Sequence, residues 1–135
     1  MGLKIGSEEW VKAYEEALNN NSAYNEAAKT WEGDFIFIIE PDGNLDHELK
    51  FWMDLWHGNC RGSKVVKEGD EQEAEFVVTG KYSNYMKVIN KEVGPVKALM
   101  MSKLKLKGPM AKVMRAVEAA KQLVATIGNI DTDFY

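Results

Sequence analysis

The run Lys103-Leu104-Lys105-Leu106-Lys107 constrains the fold more than any other stretch of the chain. Side chains on a strand alternate with a period of two, so this pattern predicts a strand whose leucines enter a core while its lysines stay in water. Gly108 ends it. Pro109 then begins a helix on which Met110, Val113, Met114, Val117, Ala120, Val124 and Ile127 form one stripe, with Gly128 as the expected stop. A sheet wet on one face and helices apolar on one stripe bury each other, which predicts a two-layer α+β fold.

The rest of the chain supplies matching parts. Ser7 is placed to cap a helix opening with Glu8 and Glu9, on which Trp10, Tyr14, Ala17 and Leu18 share a face until Asn19-Asn20-Asn21. A short helix over about 22–30 precedes a β-rich run over 35–40, closed by Pro41-Asp42-Gly43-Asn44. A second strand over about 48–56 alternates Phe51, Met53 and Leu55 with Lys50, Trp52, Asp54 and Trp56, and the two form a hairpin. Residues 58–62 read as a break, 67–73 as a charged turn and 74–80 as a strand with Phe76 and Val78 on one face. Tyr82, Tyr85, Met86 and Ile89 have helical spacing, and Gly94-Pro95 opens a short segment through Met100. With no repeat and no linker, residues 1–135 are expected to form one domain.

Composition excludes several classes. An apolar share of 45%, with four Trp and seven Met, excludes wholesale disorder. A net charge of −4 argues against a nucleic-acid protein driven by global charge. The lone Cys60 closes no disulfide within the chain and founds no zinc cluster, which suits a reducing cytoplasm. The N-terminal run turns polar at Ser7, Gly6 stands where a myristoylation pattern wants Ser or Thr, and no apolar stretch approaches 18 residues, so neither leader nor anchor is expected.

Catalytic chemistry has little support. His57-Gly58-Asn59-Cys60 places an imidazole near a thiol, the start of a nucleophile or a metal site, but only His47 could add a second imidazole. The plainer reading is a strand end where Gly58 permits a tight turn, His57 hydrogen-bonds a backbone group and Cys60 packs as a small apolar residue. Asp42, Gly43 and Asp46 fail calcium-loop spacing, and no glycine run cradles a phosphate. We expect no catalytic residue, metal or cofactor.

Charge distribution says more than its total. Residues 93–117 hold Lys97, Lys103, Lys105, Lys107, Lys112 and Arg115 without one acid, leaving the remainder at −10. A solvated face explains part of this, and contact with an anionic head group or membrane surface is the functional reading. Met86, Met100, Met101, Met110 and Met114 lie in or beside the same stretch, and flexible thioethers suit an adaptable apolar cavity as well as an ordinary core.

At Lys103 to Met110 the sequence resembles the signature of the sterol carrier protein 2 family, a Gly-Lys-Leu-x-x-x-Gly-x-Met run before the last helices. Glu75-Phe76-Val77-Val78-Thr79 resembles the family's fourth strand, Val93 to Met100 the segment leading to the signature, and Trp31-Glu32-Gly33 the entry to its first strand. Ser102 stands where the family usually has Gly, and Pro109 where it has Asp or Asn. The resemblance implies a five-stranded, mainly antiparallel sheet covered on one face by helices. Between the layers it implies a tunnel for fatty acids, fatty acyl-CoA, phospholipids or sterols, and no catalytic residue.

By position, Phe76, Val78, Leu104 and Leu106 would face the helices, and Met86, Ile89, Leu99, Met100, Met110 and Met114 would line the cavity. The basic segment, Lys97, Lys103, Lys105, Lys107, Lys112 and Arg115, would meet the head group or a membrane. The expected partner is a small apolar lipid rather than nucleic acid. The alternative is an interaction module with a filled core, offering Trp52 and Trp56 to another protein or, as a homodimer, to a second copy.

Overall fold

A computed structural model of the chain describes residues 2–135. The elements run β1 (Leu3–Lys4), α1 (Glu8–Asn19), α2 (Ser22–Ala27), β2 (Glu32–Glu40), β3 (Leu49–Trp56), β4 (Asn59–Val65), β5 (Phe76–Lys81), α3 (Tyr82–Ile89), α4 (Pro95–Met100), β6 (Lys105–Lys107), α5 (Met110–Met114), α6 (Val117–Ala125), a 3-10 turn (Thr126–Asn129) and β7 (Thr132–Asp133). The main sheet has the order β4-β3-β2-β5-β6. It is mainly antiparallel, with one parallel pair, β2 beside β5. The expected α+β class and five strands are found, with helices on one face.

Local chemistry sets the helix starts. The Ser7 side chain accepts from the Trp10 backbone N–H at 3.2 Å, with Glu8 and Glu9 in the first turn. Trp10, Val11, Tyr14 and Leu18 then fall on the buried face. Asn21 caps α2 in the same way, accepting from Ala23 and Tyr24. The α1 helix also shields one sheet edge, because the Asn19 amide takes the Cys60 backbone N–H at 2.7 Å and donates to its carbonyl at 3.0 Å, as a neighbouring strand would. Lys12 donates to the Ser63 carbonyl beside it.

Three expectations change, and one pairing is new. Residues 58–62 do not break the sheet: Trp56 pairs with Asn59 across His57-Gly58, and these two residues have φ of 50° and 83°. Two central residues at positive φ make the tight turn whose twist suits a hairpin, so the glycine joins β3 to β4. The last helix is not one rod. It breaks at Arg115 and Ala116, where Ala116 has φ −110° and ψ 37°, and the chain bends over the core before α6. The alternating lysine strand is shorter than expected, although Leu104 just before it is buried. Finally, β1 and β7 pair in parallel and tie the chain ends together, and two-residue strands carry no periodic signal.

Alternation in the strands sorts the sheet faces. Phe35, Phe37 and Ile39 of β2, Phe51 and Leu55 of β3 and Val78 of β5 point toward the helices. On the far face Ile36 pairs with Trp52 and Val77, and residues 72–75 of the β4–β5 connection lie over Ile36, Ile38 and Val77. Asp34 fastens that connection, accepting from the Glu75 N–H at 2.8 Å and from the Trp52 indole at 2.9 Å.

Candidate functional site

The helix layer does not press flat on the sheet. Between them lies a cavity of about 130 Å³. Its floor is Phe35, Phe37, Ile39, Phe51, Leu55 and Val78, and its N-terminal wall is Trp10 and Tyr14 of α1, Tyr24 of α2 and Trp31. The roof is Tyr85, Val88 and Ile89 of α3, Pro95, Val96 and Leu99 of α4, Val113 of α5, and Ala116, Ala119, Ala120, Leu123, Val124 and Ile127. Small side chains cause the void. Three alanines of the roof face aromatic rings on the floor, where Phe35 stacks on Phe37 at 5.3 Å and on Phe76 at 4.9 Å. Rigid stacked rings cannot swing to fill space left by methyl groups.

Among the described residues no charged side chain lines this space, and most polar groups on its wall are already committed. The Tyr14 hydroxyl donates to the Leu123 carbonyl at 2.6 Å and the Tyr85 hydroxyl to the Val78 carbonyl at 2.8 Å. The Trp10 indole donates to Thr132 Oγ1 at 2.9 Å and that of Trp31 to the Gly33 carbonyl at 3.0 Å. An interior of this kind rewards hydrocarbon and penalises charge.

Of the expected lining residues, Val78, Ile89, Leu99 and Leu104 are on the wall. Phe76 is buried beneath it in the aromatic stack, and Leu106 pairs with Val78 on the same face. Met86 packs half-buried against the core, and Met110 is half-buried, but neither borders the cavity. Met100 and Met114 point outward, 62% and 44% exposed. The inner face of α4 is taken by Pro95, Val96 and Leu99, and five-residue α5 has one inward position, Val113, so both methionines are left outside.

The basic residues also divide. Lys105 and Lys107 pair with Thr79 and Val77 while Leu106 pairs with Val78, so strand alternation aims both lysines at the face away from the cavity. They do not gather with the others at a cavity mouth. Lys112 is engaged internally, bonded to the Glu32 carbonyl, paired with Glu75 at 3.1 Å and lying 5.2 Å from the Trp31 ring centre. Lys97 and Arg115 are exposed and Lys103 is half-exposed, on or beside the roof helices α4 and α5.

The aromatic wall from α1, α2 and Trp31 went unrecognised in the sequence, because the Trp10 and Tyr14 stripe is indistinguishable from ordinary core. Nor do Trp52 and Trp56 stand free. Trp52 is held by Asp34, while Trp56 stacks on His57 at 5.5 Å and carries the Arg61 guanidinium 4.4 Å from its ring centre.

The thiol reading fails on geometry. His57 Nε2 contacts Glu32 at 2.6 Å at the surface, while Cys60 is buried and donates to the Gly62 carbonyl at 3.2 Å. Burial is the main cause that pushes the thiol up to about 12, so the reactive thiolate is scarce at neutral pH. We therefore expect a disulfide reagent at pH 8 to label native Cys60 at least about a hundredfold more slowly than the denatured chain. Equal rates would contradict the burial.

The chain matches the model of the SCP-2 sterol transfer family over residues 11–121. No individually curated protein matches it. Among solved structures, a crystal structure of sterol carrier protein 2 is 35% identical, with a TM-score of 0.83, over 94% of this chain and 99% of that one. A conserved hypothetical protein of Thermus thermophilus, suggested to be a sterol carrier protein, is 33% identical with a TM-score of 0.85, over 98% and 95%. The apo sterol carrier protein 2 of Yarrowia lipolytica shares the fold at 15% identity and a TM-score of 0.55, over 89% and 88%. The fold, the signature segment and the matched residues agree: this chain belongs to the SCP-2 sterol transfer family.

Proposed function

We propose that this protein is a non-enzymatic carrier that takes up one lipid molecule, burying its hydrocarbon part in the cavity between sheet and helices. The observation that carries this reading is a space between sheet and helices whose wall, among the described residues, bears no charged side chain. Each buried methylene contributes about 0.8 kcal/mol, so about ten of them supply the roughly 8 kcal/mol of micromolar binding, and the entropic cost of association calls for a longer chain still. Drug-sized ligands occupy roughly 300–1,000 Å³, well above the space seen here, so a full acyl chain or sterol requires the roof to part. The non-helical joint at Arg115 and Ala116, between the short helices α5 and α6, is where this is easiest.

The test is displacement of a fluorescent fatty acyl probe, read by energy transfer from Trp10 and Trp31. Saturable one-to-one binding, displaced by fatty acid, fatty acyl-CoA or sterol, is expected. A filled core gives no saturable signal and sinks the proposal.

Delivery to an anionic membrane is the second part of the reading. Met100, Met101, Met114 and Val117 are 62%, 53%, 44% and 39% exposed on the roof helices, in the stretch that carries Lys97, Lys103 and Arg115 and no acid. Apolar side chains among cations suit the head-group region of such a membrane. Probe transfer to vesicles should speed up several-fold when anionic lipid is added, and Met100→Asp with Met114→Asp should remove most of that gain. Transfer indifferent to both would show that delivery uses another surface.

A further inference from the structure

A polar group inside a protein is stabilised only when it finds a partner, and an unpaired one asks for an explanation. Among the described residues, five side chains with a ring N–H or phenol hydroxyl line the cavity, and four of them are bonded within the protein. The fifth is Tyr24. It is 2% exposed, yet its hydroxyl has no hydrogen-bond partner among the described residues. That oxygen also keeps some accessible surface, because among the described residues every fully sealed polar side-chain atom is paired. Tyr24 lines the cavity, so a ligand that enters meets this side chain.

Its position is well held. Asn21 caps the helix by accepting from the Ala23 and Tyr24 backbone N–H groups at 3.1 and 3.4 Å. One turn on, the Asn25 amide donates to the carbonyls of Gly58 at 2.6 Å and Leu18 at 3.0 Å, tying α2 to the β3–β4 turn and to α1. A phenol on a helix anchored at three points is a preset donor rather than a mobile one.

We propose that the cavity selects a lipid whose inserted part carries one neutral oxygen, an alcohol or ketone, which the Tyr24 hydroxyl binds. This rests on the carrier reading above and names its ligand class. Among the described residues no lysine, arginine or histidine lines the space, so a carboxylate pushed inside would be an uncompensated charge. Burial, with a smaller contribution from Cys60, holds the Tyr24 phenol well above its ordinary pKa, so it keeps the proton it donates. A ketone oxygen accepts that proton in a hydrogen bond. An alcohol does the same.

The experiment uses the full chain with three eight-carbon probes, octan-1-ol, octane and octanoate, titrated against the wild type and Tyr24→Phe by displacement of the fluorescent acyl probe. The wild type should bind octan-1-ol at least as tightly as octane, although the alcohol is less hydrophobic, and octanoate more weakly than both. Tyr24→Phe should weaken octan-1-ol about tenfold and leave octane unchanged, the size expected of one buried hydrogen bond. Octane binding with octan-1-ol far weaker on the wild type overturns the Tyr24 proposal, and so does a variant that weakens both equally or neither. In those cases the carrier reading stands. If the acyl probe binds the wild type and none of the three displaces it, the Tyr24 proposal alone fails; if the acyl probe shows no saturable binding, the proposal and the carrier reading fail together.

Discussion

Ala119→Trp should lower affinity for the fluorescent acyl probe about a hundredfold while leaving the protein folded. Ala119 is buried on α6 and faces the cavity, so an indole there has one place to go, the void itself. Displacing about four methylenes' worth of ligand forfeits roughly 3 kcal/mol at 0.8 kcal/mol each. Overpacking a dense core costs about 1–3 kcal/mol, but space already open relieves part of that strain. Circular dichroism and a melting curve near the wild type's would separate occlusion from unfolding. Unchanged probe affinity in a folded Ala119→Trp protein would place the binding elsewhere.

The largest expected loss of stability is at Gly58. Its backbone sits at φ +83°, and a Cβ there would lie 2.2 Å from the Asn25 carbonyl oxygen and 3.0 Å from its carbon. These are backbone atoms of α2, so no side chain can step aside. Left-handed conformation costs an L-residue about 1–2 kcal/mol, and the clash adds to it, so Gly58→Ala should lose about 3 kcal/mol or more. Gly43→Ala is the control: φ there is +58° with nothing within 4 Å, so it should lose only the conformational part, about 1 kcal/mol. Urea melts of the two variants measure the difference. Equal losses would show that the approach of α2 to the β3–β4 turn does not matter.

Periodicity revealed the layers of this fold because each element has one buried face. Alternation at Phe51, Met53 and Leu55 placed β3, and the Ser7 cap placed the start of α1. What failed was continuity. The stripe from Met110 to Ile127 is as regular as that of a straight helix, but an unbroken rod cannot follow a roof that bends over the cavity. The joint at Ala116 resets the facing, leaving Met114 and Val117 outside. The break expected over 58–62 failed for a related reason, since the residues that end strands also make the tightest hairpins.

The site was legible only in part. Val78, Ile89, Leu99 and Leu104 could be assigned from spacing and family likeness together, because they lie on elements whose inner face is unambiguous. A void leaves no periodic trace, since the residues around it also describe a solid core. Tyr24 shows the limit most clearly. What distinguishes its hydroxyl is the lack of a partner, and that depends on every neighbour in three dimensions.

The most direct test of an interior lipid site is a set of intermolecular nuclear Overhauser effects between a carbon-13-labelled lipid and the protein. Contacts are expected from the lipid's hydrocarbon to Leu99, Val113, Ala119 and Leu123 on the roof and to Phe37 and Val78 on the floor. Contacts confined to the exposed Met100, Met101 and Met114, with the inner residues silent, would contradict it.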